Sequence, residues 1–365
     1  MERQSNFELL RIISCILIFA GHFSGQGLCL NQSEVQSHIY LLFSLFTNAP
    51  RIGVGIFLFI GVFFLVDKKF SFSRILTIYG TMWFYSVLIM ILYKFVFKQN
   101  ITFRYLISSF IPFWGQIWWF PNVYILLLLM HPILNVILEL SENKIRFIIL
   151  ILLILIPFRF SLHGLMDSGS DSFVWFCFSY LFIGYYKKYI HLNNFFRNLY
   201  FFSGLIIYCL LCLIKVFDIF GVGRIAAQYL ADFKSFPNLF ITFSIFVFFE
   251  KLEFKSKVVN KLAKGCFGVY LIHQVPYFYP YLWSKTINQN FVYSLIQKSN
   301  WYILIYTLAY VLIMFMCFIV FDLFRQCILD PIWKKSKVFI FLNNKVNSYY
   351  YIMYENLIEG EINDR

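Results

Sequence analysis

The sequence has few charged residues: Asp, Glu, Lys and Arg make up 13% of its 365 residues. A soluble domain is about 25% charged, because charged side chains cover the surface that faces water. Here 60% of the residues are hydrophobic, and the mean hydropathy is +0.71. So few charges exclude a surface that faces water throughout, and lipid must cover much of it. The sequence predicts a polytopic integral membrane protein.

Acidic residues are the scarcer charge, with 18 Asp and Glu against 31 Lys and Arg. In a soluble protein the net charge of +13 would suggest nucleic-acid binding. Such proteins carry a basic face, and here no basic face with interleaved aromatic residues occurs outside the apolar segments. Basic loops between membrane spans account for the charge, as the positive-inside rule predicts. We expect no nucleic-acid partner.

The eight cysteines lack the spacing of a metal or disulfide site. Cys209 and Cys212 have helical spacing, but no His and no second Cys pair accompanies them, so buried free thiols are expected. The first apolar run is also not followed by a small-residue cleavage site. This run is therefore predicted to be a retained membrane span and not a removed signal peptide.

Apolar runs predict an all-α fold, a polytopic integral membrane bundle of about ten transmembrane helices. A helix needs about 20 residues to cross a bilayer, so the shorter runs must include flanking polar positions or cross obliquely. The short run 37–48 is expected to lie along the interface before the second span. The predicted spans lie near 10–26, 52–66, 75–97, 118–138, 146–162, 172–186, 198–218, 236–250, 265–283 and 300–323.

Residues 1–324 are predicted to form the membrane domain, followed by a basic cytoplasmic tail at 325–365 with no second folded domain. Basic residues are concentrated in the loops that follow even-numbered spans, beginning with Lys68, Lys69 and Arg74. Loops rich in Lys and Arg stay in the cytoplasm. Both chain termini are therefore expected on the cytoplasmic side.

The first span carries three ionisable residues on one face. Arg11 and His22 are eleven residues apart, which brings the helix back to within about 20° of the starting face after a rise of about 16 Å. Glu8 lies on the same stripe, about one turn before Arg11. Ionisable groups inside a membrane usually face the bundle interior or a wet cavity. The alternative is that Arg11 reaches lipid phosphates and His22 lies at the outer interface, and the stripe alone leaves both open.

Several segments, taken in order, resemble the membrane acyltransferase-3 family. Arg, ten residues and then His in the first span is similar to the signature of that family, and the resemblance covers residues 6–323. Each block alone is weak, whereas the ordered set is specific. The blocks are Asn6-Phe-Glu8-Leu-Leu-Arg11, Arg51-Ile-Gly53-Val-Gly55-Ile-Phe-Leu-Phe-Ile, Ser71-Phe-Ser-Arg74-Ile-Leu, Trp118-Trp119-Phe120 through Tyr124 to Pro132-Ile-Leu-Asn135, and Gly265-Cys-Phe-Gly268-Val-Tyr270-Leu-Ile-His273.

The chain departs from the family pattern at two places. The second span of the family usually ends with Ser-Gly after the aromatic run, and this chain has Gly61-Val62 there. A cluster that is commonly Arg-rich appears here as Lys68, Lys69 and Arg74. The extracytoplasmic esterase-like domain of some relatives is absent from the sequence, so the membrane bundle itself would have to complete the transfer.

The resemblance implies a transfer of an acyl group, by default acetyl, from cytoplasmic acyl-coenzyme A to a hydroxyl of a cell-surface polysaccharide or its polyprenyl-linked precursor. A bacterial inner-membrane location follows from the same resemblance. The acyl-CoA would be a co-substrate, and no permanently bound cofactor and no metal are expected. A sugar hydroxyl needs a base near neutral pH, and neutral imidazole suits this role. His22 and Arg11 are the predicted catalytic residues, with His22 either deprotonating the acceptor or first accepting the acyl group.

Coenzyme A is rich in phosphate, and cationic side chains near the cytoplasmic face are expected to hold it. The predicted donor-binding residues are Lys68, Lys69, Arg74 and Glu8. The rise of about 16 Å between Arg11 and His22 is of the order that a pantetheine arm must bridge. An orienting carboxylate for His22 cannot be chosen from spacing.

Six further residues are placed at the acceptor or the cavity, each with an alternative that stays open. Arg51 is an interface anchor or an acceptor contact. The aromatic trio Trp118, Trp119 and Tyr124 stacks on sugar, gates the cavity, or forms an aromatic belt at the membrane interface. Tyr270 and His273, expected near the inner side, are core residues or functional ones. By contrast, His131 is interpreted as structural.

Two other classes of function stay open alongside acyl transfer. One is a lipid-linked oligosaccharide flippase or transporter, although the two similar halves typical of transporters are not seen. The other is a glycan polymerase, for which Asp167 and Asp171 in an outer loop would be the only support.

Overall fold

The protein is described by a computed structural model, which covers residues 3–30, 35–153 and 169–363. The all-α prediction is confirmed, because this part of the chain contains helices and no strand. A π-helical turn, Phe23–Leu28, directly continues the first helix. The α-helices are α1 Ser5–His22, α2 Ser37–Leu65, α3 Phe72–Ile91, α4 Phe103–Phe110, α5 Trp119–Leu138, α6 Glu142–Leu153, α7 Gly169–Tyr189, α8 Asn194–Phe217, α9 Gly223–Ala231, α10 Phe236–Glu250, α11 Lys257–Leu262, α12 Cys266–His273, α13 Tyr279–Thr286, α14 Gln289–Lys298, α15 Asn300–Lys335 and α16 Lys337–Asn363.

The bundle spans the membrane several times. Within the described ranges, 6 helices are long and apolar enough to cross, and the bent pair α9 and α10 raises the number to 7. The predicted number of about ten is not confirmed. One reason is that residues 154–162 of the predicted span 146–162 lie outside the described residues.

Residues 37–48 do not form a separate segment along the interface. They are the first turns of α2, which continues to Leu65 as one 29-residue helix with Pro50 inside it. Neighbouring helices allow proline inside membrane helices. Here Pro50 packs against Gly21 of α1, where an added Cβ would come within 2.1 Å of the proline ring. The small size of Gly21 therefore allows close contact between α1 and α2. The sequence of residues 37–48 alone does not indicate this contact.

The predicted span 265–283 is not a single helix either. It is divided into α12 and α13, and the break between them follows His273 and contains Pro276. The 3-10 turn Ala263–Gly265 joins α11 directly to α12, so the helical stretch before the break covers 257–273, and α13 after it has 8 residues. Neither stretch is among the helices long and apolar enough to cross the membrane. The proline has no N–H group for the helical ladder, which favours the break.

The last predicted span is part of α15, which runs for 36 residues to Lys335. The predicted domain boundary at residue 324 therefore falls inside a helix, and the division itself stays a prediction. The following helix, α16, packs against the loop between α2 and α3. Tyr350 stacks on Phe70 with ring centroids 3.9 Å apart, and Tyr351 donates a hydrogen bond to the Phe70 carbonyl at 3.2 Å.

Helix α1 lies in the centre of the bundle, in contact with α2, α10, α11, α12 and α15. Small residues bring its neighbours close, as is common where membrane helices pack. An added Cβ on Gly53 of α2 would come within 2.6 Å of the Ser14 carbonyl oxygen. One on Gly268 of α12 would come within 2.2 Å of the Asp322 carboxyl carbon of α15. Much of α1 is thus packed against other helices, whereas Arg11 and His22 stay partly exposed.

Candidate active site

A series of cavities follows the α1 stripe that begins at Arg11. Arg11 lines a broad cavity, and Cys15 and Ile18 line a small pocket that follows it. His22 comes next at the same helical spacing, because i, i+4, i+7 and i+11 positions share one face. Arg11 and His22 therefore lie on the same side of α1, at two ends of a stripe about 16 Å long.

The broad cavity is bounded by cationic side chains, and we call it the basic cavity. Its wider section, of about 800 Å³, is lined by Arg3, Arg11, Lys68, Arg74 and Lys334. A deeper section, of about 320 Å³, shares Arg3 and Arg11 with it and extends to α12 and α15. Volumes of this size are typical of sites for small molecules and cofactors. The cavity thus offers several cationic groups to an anionic ligand.

Glu8 positions Arg11 of α1 and Arg3, which precedes the helix. Glu8 is 6% exposed, and its carboxylate accepts hydrogen bonds from Arg3 at 3.1 Å and from Arg11 at 3.0 Å. A buried carboxylate by itself would repel phosphate. Because the Glu8 carboxylate is paired with Arg3 and Arg11, it holds their guanidinium groups in place. The Arg11 guanidinium also lies 6.0 Å from the centre of the Phe57 ring. Glu8 was predicted to bind the donor, and the structure gives it the geometry of a residue that orients Arg11.

A second charged wall, on α15, was not predicted. Asp322 and Arg325 are 1% and 7% exposed, and the Arg325 Nε donates to the Asp322 Oδ1 at 2.7 Å. Tyr85 donates to the same oxygen at 2.7 Å, and Asp330 accepts from Arg325 at 2.7 Å. All of these except Tyr85 line the deeper section of the basic cavity. In the sequence, Asp322 lies at the end of the predicted span 300–323, whereas Arg325 and Asp330 fall in the predicted tail, so only the extension of α15 brings them together in one wall.

The basic cavity narrows towards His22 into a neck. This pocket of about 20 Å³ is lined by Cys15, Ile18, Val54, Phe57, Phe120 and Tyr270 among others. It shares Phe57 and Phe120 with the basic cavity. A space of this size holds about one water molecule. An acyl group can pass the neck only if these side chains move.

The imidazole of His22 meets a second imidazole beyond the neck. Its Nδ1 lies 3.0 Å from the Nε2 of His273, and the Nδ1 of His273 lies 2.6 Å from the Val269 carbonyl oxygen. His273 is 0% exposed, whereas His22 is partly exposed. The prediction that His273 lies near the inner side is therefore wrong. Because α12 begins beside Cys15, whose thiol donates to the Cys266 carbonyl at 3.2 Å, its last residue reaches the depth of His22.

When both rings are neutral, these distances assign their tautomers. A carbonyl oxygen only accepts, so the Nδ1 of His273 carries the proton and its Nε2 is an acceptor. The Nδ1 of His22 must then donate to that Nε2, which leaves the Nε2 of His22 with a lone pair that no hydrogen bond among the described residues uses. The orienting group that spacing could not identify is thus an imidazole and not a carboxylate. The arrangement prepares His22 to act as a general base.

Two more predicted residues lie close to this pair. Tyr270, one turn before His273, lines the neck, and its ring centre is 6.2 Å from that of His273. Arg51 is exposed, and its positive charge acts on His22.

Tyr124 lines the basic cavity, where its hydroxyl occupies the space beside Gly61. A serine at position 61, as in the usual family pattern, would meet that hydroxyl.

Three predicted residues are not brought to the cavities described above. Trp118 is buried at the start of α5, and Trp119 is 38% exposed and stacks on Phe233. Lys69 is exposed, and its carbonyl accepts a hydrogen bond from Arg74 at 3.3 Å.

Both nitrogens of His131 lie near backbone carbonyls, those of Leu128 and Lys68, as expected of a structural histidine.

Comparison with known proteins gives a family. The family model described as an acyltransferase domain, acyltransferase-3, matches residues 4–322, nearly the whole chain. The chain belongs to the acyltransferase-3 family. It is therefore a membrane acyltransferase. No curated protein and no solved structure matches it. Among the described residues, no group of three or more His, Cys, Asp or Glu side chains has the arrangement of a metal site.

Proposed function

We propose that this acyltransferase moves an acyl group, most simply acetyl, from cytoplasmic acyl-coenzyme A to a hydroxyl of a cell-surface polysaccharide or its lipid-linked precursor. Its location would be the inner membrane of a bacterium, with both chain termini in the cytoplasm. The observation that carries the proposal is the series of cavities that begins among several cationic side chains and follows α1 as far as Ile18, one turn before His22, whose Nδ1 is held by His273. The orientation rests on the distribution of basic loops.

The donor end is supported by charge and size. Coenzyme A carries several phosphate groups, and Arg11, Arg74 and Lys68 line the basic cavity that would receive them. Arginine binds phosphate in bidentate geometry, and lysine acts as a point charge. The distance of about 16 Å along α1 from Arg11 to His22 is of the order that the pantetheine arm must bridge. The thioester would then reach His22 while the nucleotide stays among the cations.

The acid–base chemistry follows from the tautomer of His22. Its Nε2 accepts the proton of the acceptor hydroxyl while that oxygen attacks the thioester carbon, and the carbon–sulfur bond breaks. The departing coenzyme A thiolate takes the proton back from His22. His273 supports the imidazolium that forms, because its Nε2 accepts the hydrogen bond from the Nδ1–H of His22. The alternative, in which His22 first accepts the acyl group and then gives it to the acceptor, uses the same nitrogen.

The test is the transfer of radiolabelled acetyl from acetyl-coenzyme A to glycan in membranes that contain the wild-type protein. His22→Ala should abolish the transfer while the protein still inserts into the membrane. His38→Ala is the matched control, because His38 is exposed and contacts the Trp301 ring at 6.0 Å, away from the cavities.

Retained transfer in His22→Ala would remove His22 from the mechanism. Export of unmodified glycan with no transfer of label by the wild type would support a flippase or transporter instead. Chain elongation without label transfer would support a polymerase.

A further inference from the structure

A second pocket lies on the opposite side of His22 from the neck, and we call it the far pocket. Its volume is about 280 Å³, and its polar lining comprises Ser24, Tyr40, Ser44, Thr47 and Lys215. Ser24 follows His22 by two residues, on the π-helical turn that continues α1. The far pocket therefore begins within one helical turn of the proposed base.

The order of residues along α2 places the far pocket independently. Tyr40, Ser44 and Thr47 of α2 line the far pocket, whereas Val54 and Phe57 line the neck. Helix α2 runs antiparallel to α1. Residues of both helices line the three spaces in the same spatial order, which is basic cavity, neck and far pocket. His22 lies between these last two spaces along α1, one turn after Ile18 of the neck and two residues before Ser24 of the far pocket. A ligand in the far pocket would therefore approach His22 from the end of the stripe opposite to the donor.

The far pocket contains polar groups that are not fully satisfied within the described chain. Ser24 is 4% exposed, and its hydroxyl has no hydrogen-bond partner among the residues that the structure describes. Lys215 donates to the Asn48 Oδ1 at 3.0 Å, and an ammonium group has three N–H donors. The described residues provide no carboxylate partner for Lys215. A cation inside a membrane protein is stabilised by an anionic partner.

We propose that the far pocket binds the acceptor, and that the acceptor carries an anionic group which pairs with Lys215. This inference rests on the proposed acyl transfer. The hydroxyl groups of Ser24, Ser44 and Thr47 suit a polyhydroxylated ligand, because each both donates and accepts hydrogen bonds. The anionic group is either the carboxylate of an acidic sugar or the phosphate of a lipid-linked precursor. Lysine recognises both as a point charge.

Three acceptors separate the two sources of charge: a free acidic oligosaccharide, a neutral oligosaccharide on polyprenyl diphosphate, and a free neutral oligosaccharide. Each is given to wild-type membranes with labelled acetyl-coenzyme A. We expect the free neutral oligosaccharide to be the poorest acceptor. Preference for the first acceptor identifies an acidic sugar, and preference for the second identifies the lipid-linked phosphate.

Lys215→Gln keeps hydrogen-bond donors but removes the charge. We expect it to raise the KM for the anionic acceptor by about 10- to 100-fold, the usual range for a lost charged hydrogen bond, and to leave the KM for acetyl-coenzyme A unchanged. Ser24→Ala should raise the acceptor KM by a smaller factor. Lys298→Gln is the control, because Lys298 is exposed and does not line the far pocket.

Two results overturn the inference in different ways. Equal use of all three acceptors by the wild type, with Lys215→Gln unchanged, would overturn the assignment of the far pocket and leave the acyl transfer standing. No transfer by the wild type to any acceptor would overturn the proposed function and the inference with it. An unchanged KM for acetyl-coenzyme A shows that the variant is folded, so that a rise in acceptor KM reports on the pocket.

Discussion

The basic cavity and the far pocket, at opposite ends of the α1 stripe, differ in the number and setting of their charges. Arg3, Arg11, Lys68 and Arg74 line the wider section of the basic cavity, whereas the charge in the far pocket comes from Lys215. The basic cavity is also the larger, at about 800 Å³ in its wider section against about 280 Å³. Several cations suit a ligand with several phosphates, and a single cation among hydroxyls suits a sugar with one anionic group. In the proposed function, this contrast in charge would hold the donor and the acceptor at separate ends of the stripe.

The largest effect should come from the pair of histidines that lies between the two ends. His273→Phe removes the acceptor for the Nδ1–H of His22, so the reactive tautomer is no longer fixed, and kcat should fall about 100-fold, within the range of general-base catalysis. His273→Gln should recover part of the rate, because its amide accepts from His22 and donates to Val269. Rates measured with the two variants at saturating substrates, together with their pH profiles, check this. Equal losses in both variants would indicate that His273 only fills space.

The next effect should come from closing the neck that separates the two ends. Val54→Phe adds volume to a space of about 20 Å³, so transfer should fall by more than about tenfold while coenzyme A still stabilises the protein against heat. Val54→Ala, which widens the neck, is the control and should retain transfer. Full transfer by Val54→Phe would show that the acyl group reaches the acceptor by another route.

A comparable or smaller effect should come from removing one cation of the basic cavity, which reduces the difference in charge between the basic cavity and the far pocket. Arg11→Ala should raise the KM for acyl-coenzyme A by about 10- to 100-fold through the loss of a charged hydrogen bond, and the KM for the acceptor should change little. Lys69→Ala is the matched control, because Lys69 is exposed and outside the basic cavity. If both variants changed the donor KM equally, the effect would be one of general surface charge and not of the cavity.

The smallest effect should come from the space beside Tyr124. An added Cβ at Gly61 would come within 2.9 Å of the Tyr124 hydroxyl, and this end of a flexible side chain can shift. Gly61→Ala should therefore cost about 1 kcal/mol in stability, within the range of mild overpacking, and change the donor KM less than Arg11→Ala. Thermal unfolding and donor kinetics of this variant measure both quantities. A loss of activity as large as that of His22→Ala would show that Tyr124 has a role in the chemistry.

Much of the fold and part of the candidate site follow from the sequence. The apolar runs at 118–138 and 236–250 nearly coincide with α5 and α10, because their ends are marked by polar residues. The common face of Arg11 and His22 follows from helical periodicity alone. The predictions for the runs at 37–48 and 265–283 are wrong, since Pro50 is accommodated by Gly21 of another helix and the break near Pro276 divides the second run.

The sequence by itself determined that the chain lies in the membrane, that it is helical, and which α1 residues share a face, because hydropathy and helical periodicity are local properties. The tertiary structure decided the depth of His273, the neck, and the buried pair of Asp322 and Arg325. Each of these depends on how close two helices approach, and Gly53 and Gly268 permit that approach only against particular partners. Contacts between residues some 250 positions apart, such as His22 with His273, have no signal in local spacing.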